Sequence, residues 1–99
     1  ALPSALPGSL LAPGFVNLHT HLEQTSRETI PNPDPQRFDE WLTAVGAYRR
    51  TETEGRETLS RRGVAAMLAG GVTCVNDIGT AHHSLEALDE AGLRGVVSL

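Results

Sequence analysis

Between Phe15 and His21 side chains alternate, with Phe15, Asn17, His19 and His21 on one side and Val16, Leu18 and Thr20 on the other, the period of two expected of a strand. Further on, Phe38, Trp41, Leu42 and Val45 follow the i, i+3, i+4, i+7 spacing of an amphipathic helix that should end near Gly46 or Tyr48. Thr51 and Glu54 form a capping-box pattern for a second helix, on which Leu59, Gly63, Ala66 and Gly70 share a stripe of mostly small residues suited to close packing on a sheet. Gly70 and Gly71 end it. The β-branched run VTCVNDI, residues 72–78, then reads as a strand closed by Gly79. Ser84 is positioned to cap a short helix bearing Leu85 and Leu88, Gly92 sits where a C-terminal glycine belongs, and Leu93–Leu99 reads as a third strand containing Val96 and Val97.

Prolines set the boundaries between these segments. Pro3, Pro7 and Pro13, with Gly8 and Gly14, divide the start of the chain into short extended pieces, so that residues 1–12 read as a linker or strand remnant. Pro31, Pro33 and Pro35 mark a long loop after the first strand, from which Asp34 or Asp39 would open the helix. The resulting order is strand, long loop with helices, strand, helix, strand. That order predicts an α/β fold with a parallel sheet, right-handed crossovers and helices on the outer face.

At 99 residues the chain is too short for a closed eight-stranded β/α barrel, which takes about 250. It starts without Met and stops within an apolar run, which leads us to expect a piece of something longer. No apolar stretch approaches the roughly 18 residues of a membrane span, and the opening segment lacks the basic start of a signal peptide. Net charge is −4. The one local basic cluster, Arg49 and Arg50 with Arg61 and Arg62, is offset by neighbouring Glu, so nucleic acid is not an expected partner. Cys74 is the single cysteine, which excludes an internal disulfide and a Cys-rich zinc site; we expect it buried and structural. A lone thiol suits the reducing cytoplasm, the expected location.

His19 and His21 carry the sharpest chemical signal. Two His at i and i+2 on a strand point the same way and can converge on one divalent cation. They also stand at the end of the strand, where the active-site mouth of a parallel barrel lies. An incidental His-X-His triplet is the alternative that spacing alone leaves open.

The surrounding block PGFVNLHTHLE, residues 13–23, resembles the first-strand signature of the amidohydrolase superfamily, in which a Pro-Gly-Phe turn leads from a small β-sandwich into the barrel. FDEWL, GVAAMLAGGVTCVND and LRGVVSL look like its deaminase and chlorohydrolase branch, so the resemblance covers nearly the whole chain, although only the His-X-His block is specific. The resemblance implies that the chain is an N-terminal fragment, about strands 1–3, of a (β/α)8 TIM-like barrel. Residues 13–99 would be the first part of that barrel, and residues 1–12 a remnant of the sandwich. It further implies one divalent metal, zinc before iron, with His19 and His21 as its first two ligands and the remaining ligands and the general acid/base on later strands. Such a metal activates water towards an electrophilic carbon.

Three residues are candidate substrate contacts. Glu23 lies where relatives acting on acidic cyclic amides carry an Arg, and a carboxylate there suits an amino-bearing heterocycle, with a solvated loop residue as the plainer reading. Gln24 can hydrogen-bond a substrate. Trp41 can wall a pocket, although it shares a helical stripe with Phe38 and Val45, which makes core packing the plainer reading. His82 and His83 read as exposed residues before a helix.

The leading expectation is therefore part of a metal-dependent hydrolase of non-peptide carbon–nitrogen bonds, deaminating an amino-substituted nitrogen heterocycle with metal-activated water. Its partners would be that small molecule and the remainder of the barrel, in a parent that forms a homo-oligomer, with no membrane. The alternatives are a cyclic-amide hydrolase of the dihydroorotase or hydantoinase kind, and a non-catalytic barrel segment that serves as a structural or partner-binding module.

Overall fold

The run VTCVNDI forms the middle strand of a three-stranded parallel sheet. The computed structural model describes residues 8–25, 34, 36–51, 55–80 and 82–99. Strand β1 (Phe15–Thr20) leads into a 3-10 helical turn (Leu22–Gln24), followed by helices α1 (Phe38–Thr51) and α2 (Arg56–Ala69), strand β2 (Val72–Ile78), helix α3 (His83–Ala91) and strand β3 (Arg94–Ser98). The strand order is β1-β2-β3 with both pairings parallel, as expected of strands joined through helices. Among the described residues no helix is long and apolar enough to cross a membrane.

Helices α2 and α3 pack on each other and on one face of the sheet. Val75 on β2 is buried in a core with Leu22, Val64, Ala87, Leu88 and Leu93, against which Met67, Val72 and Val97 are partly buried. The opposite face, which includes Leu18 and Val96, is open among the described residues. Asp77, two residues after Val75, shares the covered face and is fully buried.

Several local expectations change in the structure. The alternation in β1 does not persist: Asn17 registers with Val75 and Thr20 with Asp77, three steps along β1 against two along β2, which defines a bulge. The half-buried residues of β1 are accordingly Asn17 and Thr20, and the strand stops one residue short of His21. Helix α1 continues to Thr51 through Arg49 and Arg50, whose charges suit a helix C-terminus. Its apolar stripe is not core: Phe38 and Leu42 are exposed, Trp41 is half-buried, and α1 packs closely on no other described helix or strand.

Thr51 belongs to α1 and so does not cap α2, whose N-cap is Gly55; the Glu54 half of the expected box lies outside the described residues. Of the expected α2 stripe, Leu59 and Gly63 are buried but Ala66 and Gly70 are exposed. The buried face instead runs through Leu59, Ser60, Gly63 and Val64, because α2 packs mainly on the 3-10 turn and only secondarily on the sheet. Ser84 is not the cap of α3 either: the helix starts two residues earlier than such a cap implies, with His82 at the N-cap, and buries Ser84 with Ala87 and Leu88 while Leu85 is exposed. Gly92 does end α3, in the left-handed conformation (φ 65°) that favours glycine. Cys74 is half-buried. The expected linker lies partly outside the described residues, as do Pro31, Pro33 and Pro35; Asp34 accepts the Gln36 N–H on its side chain (2.9 Å), a local turn ahead of α1.

Gly63 shows how tightly α2 meets the 3-10 turn. A Cβ there would lie 2.7 Å from Thr25 Oγ1, 3.0 Å from Leu22 Cδ2 and 3.1 Å from the Leu22 carbonyl oxygen. Gly63→Ala is therefore expected to destabilise the protein by about 1–3 kcal/mol through overpacking, measured by urea denaturation; an unchanged midpoint would show that the contact relaxes freely.

Candidate metal centre

The C-terminal ends of parallel strands are where α/β proteins gather their chemistry, and here β1 ends in His19 and Thr20, with His21 the next residue. The rings of His19 and His21 lie edge to face with centroids 5.2 Å apart. Two imidazoles sharing one tetrahedral zinc at bonds of about 2.0–2.1 Å would place their centroids roughly 5 Å apart, so the observed spacing fits a shared cation. His21 Nδ1 lies 2.7 Å from the carbonyl oxygen of Ile78 at the end of β2. A carbonyl can only accept, so Nδ1 carries the proton and donates, and Nε2 keeps its lone pair for a ligand. Where a histidine binds a metal, an outer hydrogen bond of this kind orients its ring. Among the described residues no group of three His, Cys, Asp or Glu gathers, so a cation held by this pair would need further ligands.

The segment after His21 is held to β2. The Leu22 N–H donates to Asp77 Oδ1 at 2.8 Å, and the N–H groups of Gln24 and Thr25 close the turn onto the carbonyls of His21 (2.9 Å) and Leu22 (3.2 Å). Asp77 therefore fixes the direction in which the chain leaves His21, while its Oδ2 is buried without a hydrogen-bond partner.

Glu23 forms the centre of a clamp between loops. Its side chain is buried, and Oε1 accepts from the Thr80 hydroxyl (2.6 Å), Arg56 Nη1 (3.0 Å) and Arg49 Nη2 (3.3 Å). Arg56 Nη1 also donates to Thr80 Oγ1 at 2.8 Å. The clamp thus joins the 3-10 turn to α1, α2 and the loop after β2. Glu23 Oε2 is buried and unpartnered, so a substrate contact by Glu23 would fall to that oxygen.

Burial alone would raise the Glu23 pKa, but the Thr80 hydroxyl and the Arg56 guanidinium outweigh it and hold the carboxyl below its ordinary 4.5. A depressed folded-state pKa stabilises the fold fully above the unfolded value, and that contribution disappears as pH falls through the folded one. Thermal midpoints followed from pH 7 to pH 3 should therefore drop more steeply below pH about 4.5 in the native protein than in Glu23→Gln, which has no charge to lose. Parallel acid limbs would show that the clamp stores no pH-dependent stability.

The other candidate residues are more dispersed. Gln24 is half-buried in the 3-10 turn beside Glu23. Trp41 stacks against Phe38 at 5.4 Å on α1, and no described contact links it to the His pair. His82 and His83 start α3, His83 Nδ1 lying 4.0 Å from Glu86 Oε2. Sequence alone assigns Asp77 no role beyond the strand, and it does not reveal Arg49, Arg56 and Thr80 as partners of Glu23. Those partners lie 26, 33 and 57 residues from Glu23, separations at which no local spacing pattern could reveal them.

A sequence model described as "Amidohydrolase family" matches residues 10–98, nearly the whole chain and including the His pair. The chain belongs to the amidohydrolase family. This amidohydrolase chain is also 36% identical over 94 residues to a 5′-deoxyadenosine deaminase of Methanothermobacter thermautotrophicus, an alignment that covers 92% of this chain and 22% of the relative. The chain thus spans about a fifth of the length of that curated relative. No solved structure matches it.

Proposed function

We propose that the full-length protein is a metal-dependent hydrolase of non-peptide carbon–nitrogen bonds that deaminates an amino-substituted nitrogen heterocycle. The observation that carries this reading is the His19–His21 pair, with ring centroids 5.2 Å apart and the Nε2 of His21 left free by the Ile78 carbonyl. Similarity to a deaminase supports the reaction class, with 5′-deoxyadenosine as the first substrate to try.

A divalent cation, zinc first and iron second, would supply Lewis-acid activation of water when bound. In the overall reaction water adds at the ring carbon that bears the amino group, and ammonia leaves. His19 and His21 would hold the ion from β1. Asp77 would fix the backbone behind them through Leu22, and the Glu23 clamp would hold the loops after β1 and β2 together around the mouth. We place Gln24 and Trp41 as substrate contacts, the first by hydrogen bonding and the second by stacking on a flat ring. In this reading the three described strands are the first three of a (β/α)8 barrel, whose interior is lined by the face left open here.

The test is to assay the purified full-length protein for ammonia release from 5′-deoxyadenosine and a panel of amino-substituted purines and pyrimidines, beside a panel of cyclic amides, with metal content determined in parallel. Ammonia release that is lost on chelation and restored by zinc is expected. Ring opening of cyclic amides without ammonia release would overturn the deaminase reading in favour of a cyclic-amide hydrolase.

A further inference from the structure

The bulge in β1 creates a polar problem that two asparagines solve. Three steps along β1 (Asn17 to Thr20) span two along β2 (Val75 to Asp77), so the backbone around Leu18 and His19 falls out of the ladder and its N–H and C=O groups need other partners. The His19 N–H donates to Asn17 Oδ1 at 3.1 Å, and the Leu18 carbonyl accepts from Asn76 Nδ2 at 3.1 Å. One side chain from each strand thus satisfies one group of the bulge. Asn17 is anchored in turn, its Nδ2 lying 3.4 Å from Met67 Sδ on α2.

The orientation of both amides follows from chemistry. An N–H can only donate and a carbonyl can only accept, so Asn17 presents its oxygen to His19 and Asn76 its nitrogen to Leu18. A shift of one residue at this point in β1 exchanges the faces of every side chain that follows.

We propose that Asn17 and Asn76 are positioning residues that hold the β1 bulge and thereby bring the imidazole of His19 to that of His21 for cation binding. The inference rests on the proposed metal-binding role of the His pair. Asn76 must donate, so neither Asp nor Leu can replace it. Asn17 needs chiefly to accept from His19, a task that a carboxylate can perform and Leu cannot.

The experiment uses full-length protein and Zn(II) as the probe, with affinity measured by competition against a chromophoric chelator, the visible spectrum of the Co(II)-substituted protein, and the thermal midpoint of each apoprotein. Asn76→Asp, Asn76→Leu and Asn17→Leu are expected to weaken Zn(II) binding by about 10- to 100-fold, the usual cost of losing an outer partner of a ligand, and to alter the Co(II) spectrum. Asn17→Asp is expected to stay close to wild type in both.

Wild-type affinity and an unaltered spectrum in Asn76→Asp and Asn17→Leu would overturn the proposal. So would lowered thermal midpoints in the asparagine variants with Zn(II) affinity unchanged, the pattern of a purely structural role. Should the leucine variants yield no folded protein, Asn76→Asp against Asn17→Asp decides alone, since both keep the volume of the residue and add the same charge, and only the first removes the donor to the Leu18 carbonyl while the second keeps the acceptor for the His19 N–H. Failure of the underlying reading looks different: wild-type protein would bind no Zn(II), or His19→Ala and His21→Ala would bind it undiminished.

Discussion

His21→Ala and His19→Ala are each expected to lower the Zn(II) affinity of the full-length protein by more than about 100-fold and to abolish its turnover, because loss of an outer partner alone costs about 10- to 100-fold and these are the proposed ligands themselves. The two imidazoles lie 5.2 Å apart, and in His21 the Ile78 carbonyl at 2.7 Å leaves Nε2 as the nitrogen that can bind. Either substitution removes one donor from a shell in which catalytic zinc usually takes three protein ligands. His19 is exposed and His21 half-buried in this chain, so neither substitution removes a packed core side chain, and the metal-free variants should melt close to the metal-free wild type. Metal content, ammonia release and a urea melt on each variant check the expectation together. Retained stoichiometric zinc with full turnover in either variant would remove the pair from the site.

Leu22→Ala is expected to have the largest effect on stability, about 2–5 kcal/mol, as is usual when a fully buried Leu is truncated. Leu22 has no exposed surface, belongs to the core cluster with Val64, Val75 and Leu88, and lies against the notch left by Gly63. Its backbone N–H is tied to Asp77, so the surroundings have little freedom to collapse into the space. Because Leu22 follows His21 directly, the loss should also reach the site, appearing as weaker Zn(II) binding at temperatures well below the melting transition. Chemical denaturation monitored by circular dichroism supplies the first number and chelator competition the second. A destabilisation under about 1 kcal/mol would contradict the burial seen here.

What could be read in the sequence differs from element to element. The central strand matched its expected bounds at Val72–Ile78, because a β-branched run between glycines has few other conformations open to it. Gly92 was equally readable, since an apolar helical segment followed by Gly has a backbone reason to stop there. By contrast Ser84 and the α2 stripe were assigned from local rules that tertiary packing overrode, and Thr51 from a capping pattern although α1 runs on to include it. Ser84 is enclosed under the core-facing side of α3, and α2 turned towards Leu22 rather than towards the sheet. The apolar stripe of α1 was visible as periodicity, yet periodicity says nothing of what covers it: Phe38 and Leu42 are exposed, Trp41 and Val45 half-buried.

The sequence by itself determined the order of elements, the parallel sheet and the two histidines at the end of β1, because periodicity, glycine placement and the His-X-His block are short-range properties of the chain. Only the tertiary structure decided how those histidines meet. The bulge arises from the pairing of β1 with β2, and its asparagines lie 59 positions apart (76 − 17). The proton on His21 is set by a carbonyl 57 residues away, and Glu23 becomes a clamp through an arginine on each of two helices and a threonine beyond β2. Hydrogen bonds between groups so far apart in sequence depend on where the folded backbone puts each donor and acceptor, and no spacing along the chain encodes that.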